Sequence, residues 1–301
     1  MHVTNENMEC CLVTLFISDV CNYKCSYCDD EHNGGAFGWP KDWTPYIDFM
    51  NAVKKEHKYV YVEVLGGEPS VWPKFAEFVE TISDERVFVE FGSNGSRTLR
   101  FWKNFPKLRA WMFHSWHYEF TDDDHFCAVT EIMQDKLCIS VPLMVIPENF
   151  DRAVKLYDRL QQYNIEITPK LTRVRIDSKE YFPYTQDQLD WITNSYHNKM
   201  PPFGIDWQIP RNLHFNGVKK KFMKVLADKE HNFLGWTCRA GSYKFYVDID
   251  GNIKRCTKNV IGEDGPIGNI FAYDYKIDNG TVICDKTACT CKLDAVVEKW
   301  I

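Results

Sequence analysis

The sequence predicts an α/β protein: a partial (β/α)6 TIM-type barrel followed by a small C-terminal module with a β-hairpin and a helix or loop. Three observations support this. Short apolar runs alternate with longer amphipathic stretches, which is typical of parallel β/α units. The 301 residues, 45% of them hydrophobic, suffice for one large core plus a smaller module. An Asp-Gly turn between two alternating runs near residue 250 predicts the hairpin.

Each barrel unit is predicted from one strand-like run and the helix-like stretch after it. The predicted strands are Leu12–Ser18, Tyr59–Leu65, Val87–Phe91, Arg109–His114, Leu137–Val145 and Ile165–Arg173. The predicted helices are Trp43–His57, Trp72–Ser83, Thr98–Phe105, Asp122–Gln134, Asn149–Tyr163 and Gln186–His197. We therefore expect a barrel over residues 1–198, a connecting segment over 199–237 and a C-terminal module over 238–301. The functional face should lie where the strands end.

Composition limits the cellular setting and the partners. The chain has no basic and apolar N-terminal stretch of the secretory type, and its apolar runs are only strand-length, so we expect a cytoplasmic protein without a membrane partner. Twelve cysteines in such a chain indicate metal ligation rather than disulfides. A net charge of -6 argues against a general phosphate-binding surface but leaves a nucleotide substrate open.

Three cysteines follow the first predicted strand with the spacing C-x3-C-x2-C: Cys21, Cys25 and Cys28. Three thiolates can hold three irons of a 4Fe-4S cube and leave the fourth iron open to a small ligand. The alternative is a zinc knuckle that lacks one ligand. Two further motifs follow strand ends, namely Gly66-Gly67-Glu68-Pro69 after the second strand and Ser93-Asn94-Gly95 after the third.

These motifs, in this order and with an aromatic residue before the third cysteine, resemble the signature of the radical S-adenosylmethionine (radical SAM) enzymes. The resemblance implies that the open iron binds the methionine part of SAM and that one electron cleaves its C–S bond. The resulting 5′-deoxyadenosyl radical takes a hydrogen atom from the substrate. It also implies a flavodoxin- or ferredoxin-type reductant. The expected SAM contacts are Tyr27, Gly66, Gly67, Glu68, Pro69, Ser93, Asn94, Ser115, Val141 and Leu143.

A second cysteine group lies in the C-terminal module. Its hairpin brings Cys238 and Cys256 together, and their C-x12-G-x4-C arrangement resembles the opening of SPASM and twitch domains, which implies a second, auxiliary 4Fe-4S cluster. The candidate ligands are Cys238, Cys256, Cys284, Cys289 and Cys291. We favour the set without Cys284, which stays an alternate. A structural zinc site uses the same ligands, and iron content distinguishes the two.

Substrate groups are expected just past the later strands. His117 and Glu119 follow the fourth strand and suit an acid/base pair or hydrogen bonding, with a structural role as the alternative. Lys170 and Arg173, with Arg175 beyond them, suit a carboxylate or phosphate, with rim salt bridges as the alternative. The remaining cysteines in apolar segments are interpreted as small buried hydrophobes: Cys10, Cys11, Cys127 and Cys138.

The sequence thus predicts a radical SAM enzyme that acts on a small molecule, sugar, nucleotide or modified nucleobase, of which the DNA bases hypermodified by phage-encoded relatives are one case. A maturase that modifies peptides or proteins is the alternative within the family. A non-catalytic iron–sulfur electron-transfer protein is the alternative from a different class, and the expected SAM-contacting loops argue against it.

Overall fold

The computed structural model describes residues 1–28, 33–36, 38–175, 178, 180–201, 208–210, 212–257, 265–277 and 279–301. Within these residues, six consecutive parallel strands form the centre of one large sheet. They are β2 (Cys10–Phe16), β3 (Tyr59–Leu65), β4 (Val87–Ser93), β5 (Ala110–His114), β6 (Cys138–Val145) and β7 (Glu166–Leu171), in order along the sheet. β1 (His2–Thr4) precedes them.

One helix follows each of these strands, as the alternating sequence pattern predicts. They are α1 (Thr44–Glu56), α2 (Phe75–Ile82), α3 (Leu99–Asn104), α4 (Asp123–Met133), α5 (Phe150–Leu160) and α6 (Gln186–Asn194). Several helices begin at side chains that accept a first-turn N–H, such as Thr98, Asp122 and Thr185. Short 3-10 turns cover Pro69–Val71 and Pro147–Asn149. The alternation confirms a parallel α/β fold consistent with a partial barrel.

The two faces of the large sheet pack against different partners. Strand residues such as Val13, Val62 and Val89 share one buried cluster with helix residues, including Phe49 and Phe78. Because side chains alternate along a strand, their neighbours point to the opposite face. There Leu12, Tyr61, Phe88 and Trp111 form a second cluster with residues of the C-terminal region. The inner face of the barrel therefore packs on the cysteine-bearing end of the chain.

The predicted C-terminal hairpin forms, and it extends the large sheet. Its strands are β12 (Lys244–Val247) and β13 (Ile253–Lys254), which pair antiparallel. β12 also pairs parallel with β2, with Tyr246 opposite Thr14. Gly251 has φ of 80°, and a Cβ there would lie 2.4 Å from the Phe271 ring, so the turn requires glycine. This hairpin is thus continuous with the barrel sheet.

A second sheet joins both ends of the described chain. Besides β1, its strands are β9 (Leu213–Phe215), β10 (Val218–Lys220), β11 (Thr237–Cys238), β14 (Val282–Ile283) and β15 (Lys299–Trp300). Their order in the sheet is β10-β9-β1-β15-β11-β14. The remaining elements are β8 (His197–Asn198), α7 (Phe222–Ala227) and α8 (Lys292–Ala295). No helix in the described part of the chain is long and apolar enough to span a membrane.

Candidate active site

The first three cysteines lie in one loop after β2. Cys25 is buried, and Cys21 and Cys28 are half-buried. The Cys28 N–H donates to the Cys25 carbonyl at 3.0 Å, and the Tyr23 N–H points to Cys21 Sγ at 3.4 Å. The pKa of Cys25 is raised to about 12, mainly by burial, with smaller contributions from Glu119 and from the other two thiols. Three neighbouring thiols are suitable donors for an iron–sulfur cluster. Among the described residues, no group of three or more His, Cys, Asp or Glu side chains is close enough together to hold a metal ion.

Gly66 and Gly67 lie directly against the backbone that leads into the cysteine loop. The Gly67 N–H donates to the Ser18 carbonyl at 2.9 Å. A Cβ on Gly67 would lie 2.0 Å from the Val20 carbonyl oxygen, and one on Gly66 would lie 2.4 Å from the Ser18 carbonyl oxygen. Gly66 also has φ of 148°. Both positions therefore exclude side chains, and the close approach fixes the cysteine loop against the end of β3.

Glu68 joins the second motif to the third. Its carboxylate accepts hydrogen bonds from the Ser70 N–H at 3.0 Å, the Ser93 hydroxyl at 2.7 Å and the Asn94 N–H at 2.5 Å. The residue is 1% exposed. Burial raises the pKa of Glu68 above its ordinary value, and the donated hydrogen bonds counter part of that rise. The carboxylate therefore orients the Gly-Gly-Glu-Pro and Ser-Asn-Gly loops. Pro69 begins the 3-10 turn and is buried.

Asn94 continues this network into the cysteine loop. Its side-chain amide donates to Asn22 Oδ1 at 3.1 Å, and the Asn22 amide donates to Ser96 Oγ at 2.7 Å. Ser115 follows β5, and its N–H donates to the Ser93 carbonyl at 2.8 Å. All three sequence motifs and Ser115 therefore meet at the edge where the parallel strands end. Asn22 was not predicted, and its place inside the cysteine motif is the signal that could have identified it.

His117 contacts the aromatic residue of the cysteine motif. Its Nδ1 lies 2.5 Å from the Tyr27 hydroxyl, and the two rings stack with centroids 6.1 Å apart. Tyr118 also stacks on Tyr27, with ring centroids 5.4 Å apart. Desolvation lowers the pKa of His117 to about 4, which keeps the ring neutral at pH 7. The structure thus places His117 beside the expected adenine-contacting residue, where it fixes the Tyr27 ring.

Glu119 is exposed and also binds the cysteine loop. Its Oε2 accepts from the Ser26 N–H at 2.8 Å, and its Oε1 accepts from the Ser26 hydroxyl. Ser26 lies between the second and third cysteines. The segment after β5 therefore holds the cysteine loop through a carboxylate and an aromatic stack. The sequence did not indicate this role for Ser26, since a serine in a loop carries no specific signal.

Val141 and Leu143 lie in β6 with fully buried side chains. Both belong to the cluster that packs against the helices. Met144 is partly buried and packs against the same cluster. A contact of Val141 or Leu143 with SAM stays a prediction.

Lys170 and Arg173, both predicted as substrate-binding cations, lie at different positions relative to the end of β7. Lys170 lies within β7, opposite Met144 in the sheet register. Arg173 lies past the end of β7. Its backbone forms an isolated antiparallel β-bridge with Tyr181, and its Nη1 donates to the Ser178 carbonyl at 3.2 Å. It also lines a cavity that includes residues of the C-terminal cysteine loop. Arg173 is therefore at the strand-end edge, where a substrate group is expected.

The five C-terminal cysteines belong to one buried cluster on the inner face of the barrel. Cys238, Cys256 and Cys289 are buried, and Cys284 and Cys291 are half-buried beside them. Cys284 is close enough to Cys238 to raise its pKa, although burial is the larger cause of that rise. The structure therefore brings all five candidates into one region, and Cys284 stays among them.

Charged groups surround these cysteines in an otherwise apolar region. Lys286 Nζ lies 2.7 Å from Cys256 Sγ, and Thr257 Oγ1 lies 3.5 Å from Cys291 Sγ. Asp294 accepts from the Thr257 N–H at 3.1 Å and lies 3.9 Å from the fully buried Lys244. Lys244 was not predicted from the sequence. A lysine within an otherwise apolar strand is the signal that could have identified it, because lysine is rarely buried without a partner.

Buried cysteines outside these two groups match their prediction. Cys10, Cys11, Cys127 and Cys138 are each at most 9% exposed. Cys11 packs in the helix-facing cluster, whereas Cys10 and Cys138 pack on the inner face. They behave as small apolar side chains.

Comparison with known proteins identifies the family. The model of the radical SAM superfamily matches residues 15–168, which is just over half of the chain. The chain belongs to the radical SAM superfamily and is an enzyme of that superfamily. Membership implies SAM and a 4Fe-4S cluster as cofactors. A comparison with curated proteins gives no match.

Solved structures with a similar fold are also radical SAM proteins. Streptococcus suis SuiB bound to S-adenosylmethionine aligns with 13% sequence identity and a TM-score of 0.55, over 87% of this chain and 63% of SuiB. SuiB bound to its precursor peptide SuiA aligns with 12% sequence identity and a TM-score of 0.57, over 88% of this chain and 64% of SuiB. Native anSMEcpe with bound AdoMet and a peptide aligns with 14% sequence identity and a TM-score of 0.53, over 86% of this chain and 77% of anSMEcpe. The chain spans less than two thirds of SuiB, and these likenesses concern the fold.

Proposed function

We propose that this protein reductively cleaves SAM and uses the resulting 5′-deoxyadenosyl radical to remove a hydrogen atom from its substrate. The observation that carries this proposal is the Glu68 network, which ties the cysteine loop, the Gly-Gly-Glu-Pro loop and the Ser-Asn-Gly loop into one edge. Cys21, Cys25 and Cys28 would hold the cluster, which would supply the electron for cleavage. The protein residues fix the loops, exclude water and present the substrate.

Within this proposal, the second and third motifs have separate tasks. The carbonyl oxygens beside Gly66 and Gly67 would accept hydrogen bonds from the SAM amino group, and Glu68 orients the loop that carries them. Ser93 and Asn94 would contact the ribose region. Tyr27 presents its backbone to adenine while His117 fixes its ring.

The decisive experiment is anaerobic reconstitution with iron and sulfide, followed by SAM and dithionite, with 5′-deoxyadenosine as the readout. Replacing Cys21, Cys25 and Cys28 together by Ala should abolish its formation. Cys127→Ala, at a buried cysteine outside both groups, is the control and should keep the activity. Formation of 5′-deoxyadenosine by the triple variant contradicts the proposal.

We further propose that the C-terminal cysteines hold an auxiliary 4Fe-4S cluster of the twitch type. Support comes from their joint burial on the inner face and from Lys286, whose ammonium lies against Cys256 Sγ and compensates thiolate charge. The favoured ligands are Cys238, Cys256, Cys289 and Cys291. Closed by four thiolates, such a cluster serves in electron transfer or in bracing the pocket.

Iron analysis of single Ala variants tests the ligand set. The anaerobic wild-type protein should contain about eight irons, as two four-iron clusters require. Variants of the four favoured cysteines should lose about half of this iron, whereas Cys284→Ala should keep it. Loss of iron in Cys284→Ala with full retention in Cys289→Ala or Cys291→Ala reverses the ligand choice. Stoichiometric zinc in place of iron contradicts the auxiliary cluster.

For the substrate we propose a small molecule, sugar, nucleotide or modified nucleobase. A peptide is the second candidate, and the specific observation in its favour is that SuiB and anSMEcpe have been solved with bound peptides. Substrates that engage the site should raise 5′-deoxyadenosine formation above the rate without substrate. A flavodoxin- or ferredoxin-type protein should replace dithionite as the reductant.

A further inference from the structure

A cavity of about 770 Å³ opens beside the end of the last parallel strand. One wall contains Leu171 and Arg173, which end and follow β7. A second wall contains Leu226 and Ala227 of α7, and a third is the cysteine-bearing loop over 285–290. The carboxyl ends of parallel barrel strands meet at one edge, so the cavity lies on the same edge as the SAM-binding loops. Its size is in the range of small-molecule sites.

The charges around this cavity differ from those of the whole chain. Among the residues that the structure describes, three cationic side chains line it, Arg173, Lys229 and Lys286, against one acidic side chain, Asp285. His231 adds an imidazole ring. The chain as a whole has a net charge of -6. A local excess of positive charge in a concave site of a negatively charged protein favours an anionic ligand.

Aromatic rings form the part of the wall next to Arg173: Tyr181, Phe182 and Tyr184. The Tyr184 ring is fixed in place, since its hydroxyl donates to the Val145 carbonyl at 2.7 Å and accepts from the Thr172 N–H at 2.9 Å. Tyr181 is hydrogen-bonded to the Arg173 side chain. Fixed rings beside cations provide both a flat apolar surface and charge complementarity.

Two of the lining residues carry a buried polar side-chain atom behind the cavity surface. His231 Nδ1 and Asp285 Oδ1 are buried and have no hydrogen-bond partner among the described residues. Lys286 links this wall to the proposed auxiliary cluster, because its ammonium contacts Cys256 Sγ.

We propose that this cavity binds the substrate, and that the substrate joins a planar ring to a carboxylate or phosphate. The ring lies against the aromatic wall, and the anion lies between Arg173 and Lys229. That the ligand is a substrate rests on the proposed function; the binding itself does not.

Equilibrium dialysis with the reconstituted full chain tests the binding. The phosphate arm compares uridine 5′-monophosphate with uridine, and the carboxylate arm compares N-acetyltryptophan with its amide. Inorganic phosphate alone tests whether the ring is required. We expect one anionic probe to bind at least ten-fold more tightly than its neutral analogue, as a charge-assisted contact predicts. Equal binding of each charged and neutral pair overturns the proposal.

Two variants locate the site. Arg173→Gln and Lys229→Asn should each weaken the anionic probe about ten-fold and leave the neutral analogue unchanged. Lys229 has φ of 59°, a conformation that asparagine tolerates well, so this variant keeps the backbone if Arg173→Gln misfolds. Lys219→Gln, at an exposed lysine on β10 outside the cavity, is the control. Unchanged binding in Lys229→Asn overturns the proposed location.

Failure of this inference is distinguishable from failure of the proposed function. Binding requires no turnover, whereas 5′-deoxyadenosine formation is measured without any probe. Cleavage of SAM with no discrimination between charged and neutral probes refutes the cavity assignment alone. Tight probe binding without SAM cleavage refutes the enzymatic proposal alone.

Discussion

The Ser93 hydroxyl lies 2.7 Å from Glu68 Oε1, in a carboxylate that is almost completely buried. Both carboxylate oxygens of Glu68 therefore accept hydrogen bonds from protein groups, and these bonds join the loops after β3 and β4. The family resemblance implies that Glu68 contacts SAM. The observed hydrogen bonds favour an indirect contribution, in which the carboxylate orients these two loops.

Glu68→Ala should weaken SAM binding roughly ten- to hundred-fold, because hydrogen bonds to a charged group contribute about 1.5 to 3 kcal/mol. It should also lower the melting temperature, since the Ser93 hydroxyl and the Asn94 N–H lose their buried acceptor. Iron content should be retained. Calorimetry with SAM and iron analysis measure both effects. Glu77→Ala, on helix α2, is the control, and unchanged SAM affinity in Glu68→Ala shows that this network is not needed for SAM.

Gly67→Ala should disrupt the cysteine loop. The added Cβ would lie 2.0 Å from the Val20 carbonyl oxygen, a backbone atom that can move only with the loop. We expect a lower melting temperature and loss of about half of the bound iron, as one of two clusters is affected. Gly92→Ala is the matched control because its Cβ meets nothing within 4 Å. Equal iron content in both variants contradicts the close approach.

Glu119→Gln tests whether this residue positions the cysteine loop or acts on the substrate. The amide keeps one acceptor for Ser26 but loses the charge, so the loop should hold iron less firmly. We expect faster iron loss to a chelator and a shifted reduction potential of the SAM-binding cluster. Glu180→Gln, at an exposed glutamate, serves as the comparison. Normal iron retention combined with normal SAM cleavage and no substrate conversion assigns Glu119 to substrate chemistry instead.

His114 predicts a dependence of folding stability on pH. Burial lowers the pKa of His114 to about 3, and its ring stacks on Phe126 with centroids 3.7 Å apart. The unfolded chain binds the proton near pH 6.5, so stability is full above that pH and falls as the pH drops toward 3. The loss is at most about 1.4 kcal/mol per pH unit for this residue.

Melting temperatures of the wild type at pH 7 and pH 5 measure this effect. His114→Gln should show a smaller difference between the two pH values, because it has no titrating ring. His117, whose pKa is about 4, contributes in the same window, so a residual slope is expected. His2→Gln at the surface is the control. An unchanged pH dependence in His114→Gln contradicts a neutral buried ring.

Local patterns predicted the barrel well. β3 has the predicted bounds, Tyr59–Leu65, because an apolar run between turn residues defines both ends. The three motifs were placed at strand ends for the same reason. The face of β6 was not predicted, since a strand buried on both sides has no alternation to show where Val141 and Leu143 point.

Long-range features escaped the sequence analysis. The hairpin was identified from its Asp-Gly turn, but nothing local indicated that β12 pairs with β2. Likewise, the groups that donate hydrogen bonds to the carboxylates of Glu68 and Glu119 depend on which loops meet in space. Lys286 and Arg173 share a cavity although they are remote in sequence. Such relationships follow from tertiary packing, which composition and periodicity do not encode.

The pairing of β12 with β2 has a consequence for synthesis. Lys244 donates to Thr14, 230 residues earlier in the chain, so one side of β2 stays unpaired until most of the protein has left the ribosome. β2 is fully buried in the finished sheet, and an apolar edge exposed during translation invites aggregation. A truncation that ends before residue 244 should therefore accumulate in inclusion bodies, and expression of the complete chain should benefit from slow growth at low temperature or from added chaperones.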